Sequence, residues 1–229
     1  MLEQLIATDK ELMLTLNAGN CHNIFLDICM WMVSEKFIWI PLYVTLLYVL
    51  VKYKKKESIL PILSMLLILI VCDQISSSII KPLVGRPRPS HDPEIMGMLK
   101  YVYDYKGGPF GFPSSHAANT FGLATFVTLL FRKRSIGISF YLWAVICSYS
   151  RIYMGVHYPL DILCGSALGI LVGWSIYKGH SMILRSKTYD RYIGNTVNWN
   201  DSNCGLVLAA LYTTLFCIMC VATQTKLFE

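Results

Sequence analysis

The stretch ILPILSMLLILIVCDQISSSII, residues 59–80, decides the fold. Its only formally charged side chain is Asp73, and it is as long as the roughly 20 apolar residues that carry a helix across a bilayer. Further apolar runs fall at about 37–51, 117–131, 136–150, 160–177 and 205–222. Several are shorter than ~20 residues, so flanking polar residues and contacts within a bundle must complete them. The composition agrees. Of 229 residues, 55% are hydrophobic and 15% charged, against about 25% charged in soluble domains, and the mean hydropathy is +0.50. The expected fold is all-α, a polytopic transmembrane helical bundle of about six membrane helices plus an N-terminal amphipathic helix. Residues 1–229 are read as a single integral-membrane domain.

The loops between the runs are of two kinds. KYKKKE (52–57), RKRS (132–135) and the tail from Lys178 are basic. The connections near 81–116 and 151–159 carry prolines, histidines and arginines instead. If each run crosses once, the two kinds alternate. The positive-inside rule then places the basic loops in the cytoplasm and the unusual residues on the outer face. The expected location is a bacterial inner membrane, with the site periplasmic or extracellular and the N-terminus outside unless 21–34 also crosses. The net charge of +6 bears on orientation and anionic headgroups. No nucleic-acid module is recognisable, so nucleic acid is not expected as a partner.

The N-terminus, MLEQLIATDKELMLTLNAGN, lacks the basic start and uninterrupted apolar stretch of a signal peptide. Leu2, Leu5, Ile6, Leu12, Met13 and Leu16 recur at helical spacing. That fits a helix lying on the membrane surface, or one packed against the bundle. CHNIFLDICMWMVS (21–34) is either a short re-entrant or interfacial helix, or the first part of a long helix continuing past Glu35 and Lys36. Cys72, Cys147, Cys164, Cys217 and Cys220 lie in apolar runs and read as small hydrophobes. Cys21 and Cys204 lie outside the clearest spans, and a pairing between them is an alternative. Asn200-Asp201-Ser202 forms a glycosylation sequon, but the inferred topology places it in the cytoplasm.

Chemistry concentrates in three clusters. KPLVGRPRP (81–89) closes the second run, and its prolines stop the helix and stiffen the loop that carries Arg86 and Arg88. Fixed cations of this kind suit an oxyanion. GFPSSH (111–116) opens the next run, where Ser114 or Ser115 can cap a helix N-terminus that itself favours an anion. SRIYMGVHYPLD (150–161) joins two runs, and places His157 and Asp161 one helical turn apart beside Arg151. A carboxylate behind an imidazole fixes its tautomer and supports its cation. Because consecutive spans reverse direction, the three clusters converge on one face. One histidine can attack phosphorus and the other protonate the leaving oxygen. Without a second acidic cluster to hold Mg²⁺, the reading is metal-free phosphoryl transfer, with no cofactor.

These residues resemble the signature of the type 2 phosphatidic acid phosphatase superfamily, in its membrane lipid phosphatase branch. Lys81, Arg88 and Pro89 match K-x6-R-P. Pro113, Ser114 and His116 match P-S-G-H. Ser150, Arg151, His157 and Asp161 match S-R-x5-H-x3-D. The resemblance covers about residues 57–178. It implies that His157 is the nucleophile, that Asp161 orients it, and that His116 is general acid and then base. It also implies that Lys81, Arg88, Arg151 and Ser114 hold the phosphate oxygens. Ser115 stands where the pattern has Gly, and is counted with the phosphate-binding group.

The membrane spans point to a phosphorylated lipid in the bilayer as substrate: undecaprenyl diphosphate, phosphatidylglycerol phosphate, phosphatidic acid or lipid A. Hydrolysis is the first reading. A lipid phosphotransferase using the same intermediate is the alternative, and a non-catalytic lipid-binding protein is a third class. The oligomeric state is not legible. Arg86 is taken as an extra phosphate or headgroup contact. Asp73 is taken as a buried partner within the bundle or as tuning the site. Tyr101, Tyr103, Tyr105 and Phe110 are taken mainly as packing residues.

Overall fold

The computed structural model describes residues 1–17, 22–185 and 201–227. The described residues form helices α1 (Leu2–Asn17), α2 (Ile24–Ser34), α3 (Ile40–Lys54), α4 (Ile59–Asp73), α5 (Lys81–Val84), α6 (Ser115–Phe131), α7 (Arg134–Tyr153), α8 (Pro159–Leu184) and α9 (Asp201–Leu227). Among the described residues, four helical stretches are long and apolar enough to cross a membrane: Lys36–Tyr53, Lys55–Val84, Pro159–Leu184 and Cys204–Thr225. With α6 and α7 between them, they make a multi-pass membrane bundle.

The quoted stretch forms α4 and a π-helical segment, Gln74–Ile80, which runs directly into α5. At the change of winding the Ser76 hydroxyl donates back to the Cys72 carbonyl at 2.7 Å, the kind of side-chain competition that unsettles a helical ladder. Gly85, with φ +62°, closes α5 in a left-handed cap that bonds the Lys81 carbonyl. The proline-rich loop then leaves the helix axis.

α6 occupies the centre, packed between α4, α7 and α8. Most of its residues are buried, so a 17-residue helix needs no apolar surface for lipid on every side. Its closest neighbour is α8, which meets it along Gly165, Gly169 and Gly173. A Cβ on Gly169 would collide with the Ala118 carbonyl, and one on Gly173 would lie 2.5 Å from the Gly122 carbonyl. Side chains of one helix turn spacing have been reduced to hydrogen so that two backbones can touch, the small-residue mode of membrane helix packing. α9 covers the opposite side, against α2 and α3, over a core that includes Leu42, Ile68, Phe126 and Trp143.

Several expectations are refined. Within the stretch 21–34, Ile24–Ser34 does not start a long helix. α2 ends at Ser34, Glu35 is extended, and a 3-10 turn over Lys36–Trp39 leads into α3. Eleven residues rise only about 16 Å, too short to cross. α8 continues past Lys178 to Leu184, beyond the apolar run. Asp73 is exposed on its helix, not buried, and accepts a hydrogen bond from Ser77 at 3.2 Å. Cys217 and Cys220 form a C-x-x-C pair on α9 but are free and exposed. Cys21, the partner considered for Cys204, and Asn200 of the sequon lie outside the described residues.

Candidate active site

The loop after α7 places His157 at the site. Met154 and Gly155 turn the chain back on the last turn of α7, through Met154 N–H to the Ser150 carbonyl and Val156 N–H to the Arg151 carbonyl. Tyr158 then begins α8, and Asp161 in the first turn accepts the Tyr158 N–H at 3.0 Å. This bond fixes the carboxylate, which faces His157 Nδ1 at 3.4 Å. His157 is 1% and Asp161 0% exposed.

On the other ring nitrogen, Arg88 Nη1 lies 3.1 Å from His157 Nε2. A guanidinium can only donate. Nε2 therefore accepts, and the ring proton sits on Nδ1, toward Asp161. The free lone pair of the ring is on the nitrogen that faces the cations. Burial first, then Arg88, Arg151 and Lys81, holds the His157 imidazole well below its ordinary value of 6.5, against a backbone hydrogen bond with Gly111 that raises it. The imidazole is neutral at physiological pH.

The remaining expected residues converge on this point. Arg88 is anchored by Nε to the Phe110 carbonyl at 3.1 Å and by Nη1 to the Val156 carbonyl at 3.3 Å. Arg151 is 4% exposed. It donates through Nη1 to Ser34 Oγ, and its guanidinium lies 5.6 Å over the Tyr105 ring. Its Nε is buried and has no hydrogen-bond partner among the described residues, a charged donor inside a cluster of cations. His116, on the first turn of α6, is electrostatically coupled to Arg151, His157, Lys36 and Arg88. Ser114 caps α6 through a 3.5 Å contact with Ala117 N–H, and its own N–H bonds the Asp161 carbonyl at 3.0 Å.

Ser115 departs from the expected role. Its hydroxyl accepts from Lys81 Nζ at 2.7 Å and meets Ser76 at 2.9 Å and Ser77 at 2.8 Å. It holds the lysine rather than presenting a free hydroxyl. Arg86 departs further. Both terminal nitrogens are taken by carboxylates, Asp161 at 3.0 Å and Asp9 at 2.7 Å, and its guanidinium lies 4.0 Å over the Tyr158 ring. It faces the back of the His157–Asp161 pair. Tyr103 and Tyr105 are 59% and 38% exposed and meet Trp31 edge-on at 5.2 and 5.6 Å, so the packing reading holds only for their inner edges.

Contributions from the N-terminal third were not anticipated: Asp9 on Arg86, Ser34 on Arg151, and Lys36 near His116. The single available signal was periodic. Asp9, Met13 and Asn17 share one face of α1 and are all buried.

Comparison with known proteins matches residues 59–185 to the PAP2 superfamily. A Bacteroides thetaiotaomicron protein named lipid A 4'-phosphatase is 41% identical over 77% of this chain and 79% of its own length. A Porphyromonas gingivalis protein of the same name is 36% identical over 92% of each chain. Among solved structures, a transmembrane PAP2 type phosphatidylglycerolphosphate phosphatase from Bacillus subtilis superposes with a TM-score of 0.61, at 23% identity, over 80% of this chain and 90% of that one. At that identity the likeness concerns the fold.

Proposed function

The chain belongs to the PAP2 superfamily and is a multi-pass membrane lipid phosphatase, and on that premise we propose that it hydrolyses a phosphomonoester of a lipid A-type glycolipid through a phosphohistidine on His157. The observation that carries the mechanism is the neutral, Asp161-backed imidazole whose Nε2 lone pair faces Arg88.

The chemistry follows from the arrangement. The phosphate enters among Arg88, Arg151 and Lys81, and Arg88 turns its donor from His157 to a phosphate oxygen. Arg151 Nε supplies a second donor. Nε2 attacks phosphorus, the bond from phosphorus to the lipid oxygen breaks, and His116, which takes up a proton once the anionic phosphate lies among the cations, gives that proton to the leaving oxygen. Asp161 stabilises the positive charge that the ring acquires. His116, now neutral, takes a proton from water, which attacks the phosphohistidine and releases inorganic phosphate. Charge on the transferred group is met by side-chain cations already in place, so little reorganisation accompanies the reaction.

The substrate class rests on the two relatives named lipid A 4'-phosphatase, both matched over most of their length. The site lies on the outer face, by the distribution of basic loops, in the bacterial inner membrane. The test is phosphate release by purified protein in detergent from lipid A, undecaprenyl diphosphate, phosphatidylglycerol phosphate and phosphatidic acid, without an added acceptor. The highest kcat/KM is expected for lipid A. A higher value for any of the other three would overturn the substrate assignment, and release that requires a second acceptor would replace hydrolysis with phosphotransfer.

A further inference from the structure

We propose that Asp9, on the N-terminal helix and outside the segment that matches the family, is a positioning residue of the hydrolase, acting through Arg86 on Asp161. The inference rests on the reading of His157 and Asp161 as the nucleophile and its orienting carboxylate.

The geometry is a buried relay. Asp9 is 6% exposed. One of its oxygens accepts from Arg86 Nη2 at 2.7 Å, and the other accepts the Leu160 N–H at 2.9 Å, in the first turn of α8. Arg86 Nη1 continues to Asp161 Oδ1 at 3.0 Å. Asp161 Oδ2 then faces His157. Each carboxylate oxygen thus has a defined partner, and the guanidinium is planar, so fixing one edge fixes the other. Tyr158 beneath the guanidinium removes its remaining freedom.

Arg86 alone beside Asp161 would be a cation free to rotate and pull the carboxylate toward itself. Asp9 opposes that pull from the other side. It also ties the relay to the backbone turn that carries Asp161. α1 is held in register by two further anchors. Lys10 pairs with Asp92 and Glu94, both at 2.7 Å. Asn17 bonds the carbonyls of Lys100, Ile152 and Tyr153. The helix is thus pinned to the loops on both sides of the site, and Asp9 is the anchor that reaches the catalytic pair.

The experiment uses the full chain in detergent with ³²P-labelled lipid A. Asp9→Asn is expected to lower kcat roughly 10- to 100-fold, in the range of coupling between residues of one network, with KM changed by less than about twofold and an unaltered melting midpoint. In an Asp161→Asn background the same substitution should cost nothing further, because its route to His157 has been removed. An unchanged kcat for Asp9→Asn overturns the proposal, as does an equal loss in both backgrounds. If Asp9→Asn does not fold, Arg86→Lys replaces it, since it keeps the charge and removes the fork; the same two comparisons decide. A normal rate for Asp161→Asn alone, by contrast, would refute the catalytic-pair reading and not the relay.

Discussion

In the proposed mechanism His157 is reactive because two demands on one ring are separated between its nitrogens. Asp161 holds the proton-bearing side, and the cations hold the lone pair toward the place a phosphate would take. The price of such a site is a buried imidazole among positive charges, which keeps the ring unprotonated well below pH 6.5. Protonation would block attack, so kcat/KM should show no loss from His157 titration between neutral pH and 6.5, and fall only at lower pH. Arg88→Gln removes the largest charge that depresses this ring, after burial itself. Its acid limb should therefore move upward in pH relative to wild type. A limb that stays in place, or moves down, would show that the titrating group is not His157; comparing the two proteins cancels the substrate's own titration. At the same scale, Ser115→Gly should free Lys81 from its hydroxyl partner and raise KM about tenfold, roughly the loss of one charge-assisted hydrogen bond. An unchanged KM would show that Ser76 and Ser77 do not restrain Lys81 through Ser115.

The helices were legible where their cause is local. The run at 59–80 has no fate but a span, and Pro113 before Ser114 marks the start of α6, whereas Pro82 is carried within α5 and the helix runs on to Val84, where Gly85 closes it. The motif spacing also placed His157 and Asp161 one turn apart, because capping by Asp161 depends on neighbours in sequence. Contacts that depend on distant chain were not legible. Ser34 reaches Arg151 across more than a hundred residues, and Asp9 reaches Arg86 across 77. In sequence, Asp9 looks like the polar face of an amphipathic helix. The glycines of α8 were a missed signal, since Gly165, Gly169 and Gly173 recur at helical period. Gly169→Ala should force α8 from α6 and lower stability by about 1–3 kcal/mol, with loss of activity because Ser114 and Asp161 are joined across that seam. Gly179→Ala, which has open space around its Cβ, should melt at the wild-type temperature. Equal stability of the two variants would contradict the backbone-contact seam.

For the whole molecule, the account depends on every catalytic group reaching the same side of the membrane. α1 and α2 lie with the site end of α7, while the basic segment after α3 lies at the other end of that span. In a background without exposed cysteines, a cysteine at position 106 should react with an impermeant maleimide from outside intact cells, and one at position 56 should not. The reverse pattern would invert the topology. Activity should survive EDTA, since the proposed charge neutralisation comes from side chains; complete loss restored by Mg²⁺ would contradict it.

The central claim is that phosphate passes through His157. The most direct measurement uses His116→Ala with ³²P-labelled p-nitrophenyl phosphate, whose leaving group needs no proton, followed by denaturation in base. The account predicts that label accumulates on the protein, is stable to base and labile to acid, and maps to the peptide containing His157. It is contradicted if the label maps elsewhere, or if it persists when His157 is also replaced by Ala.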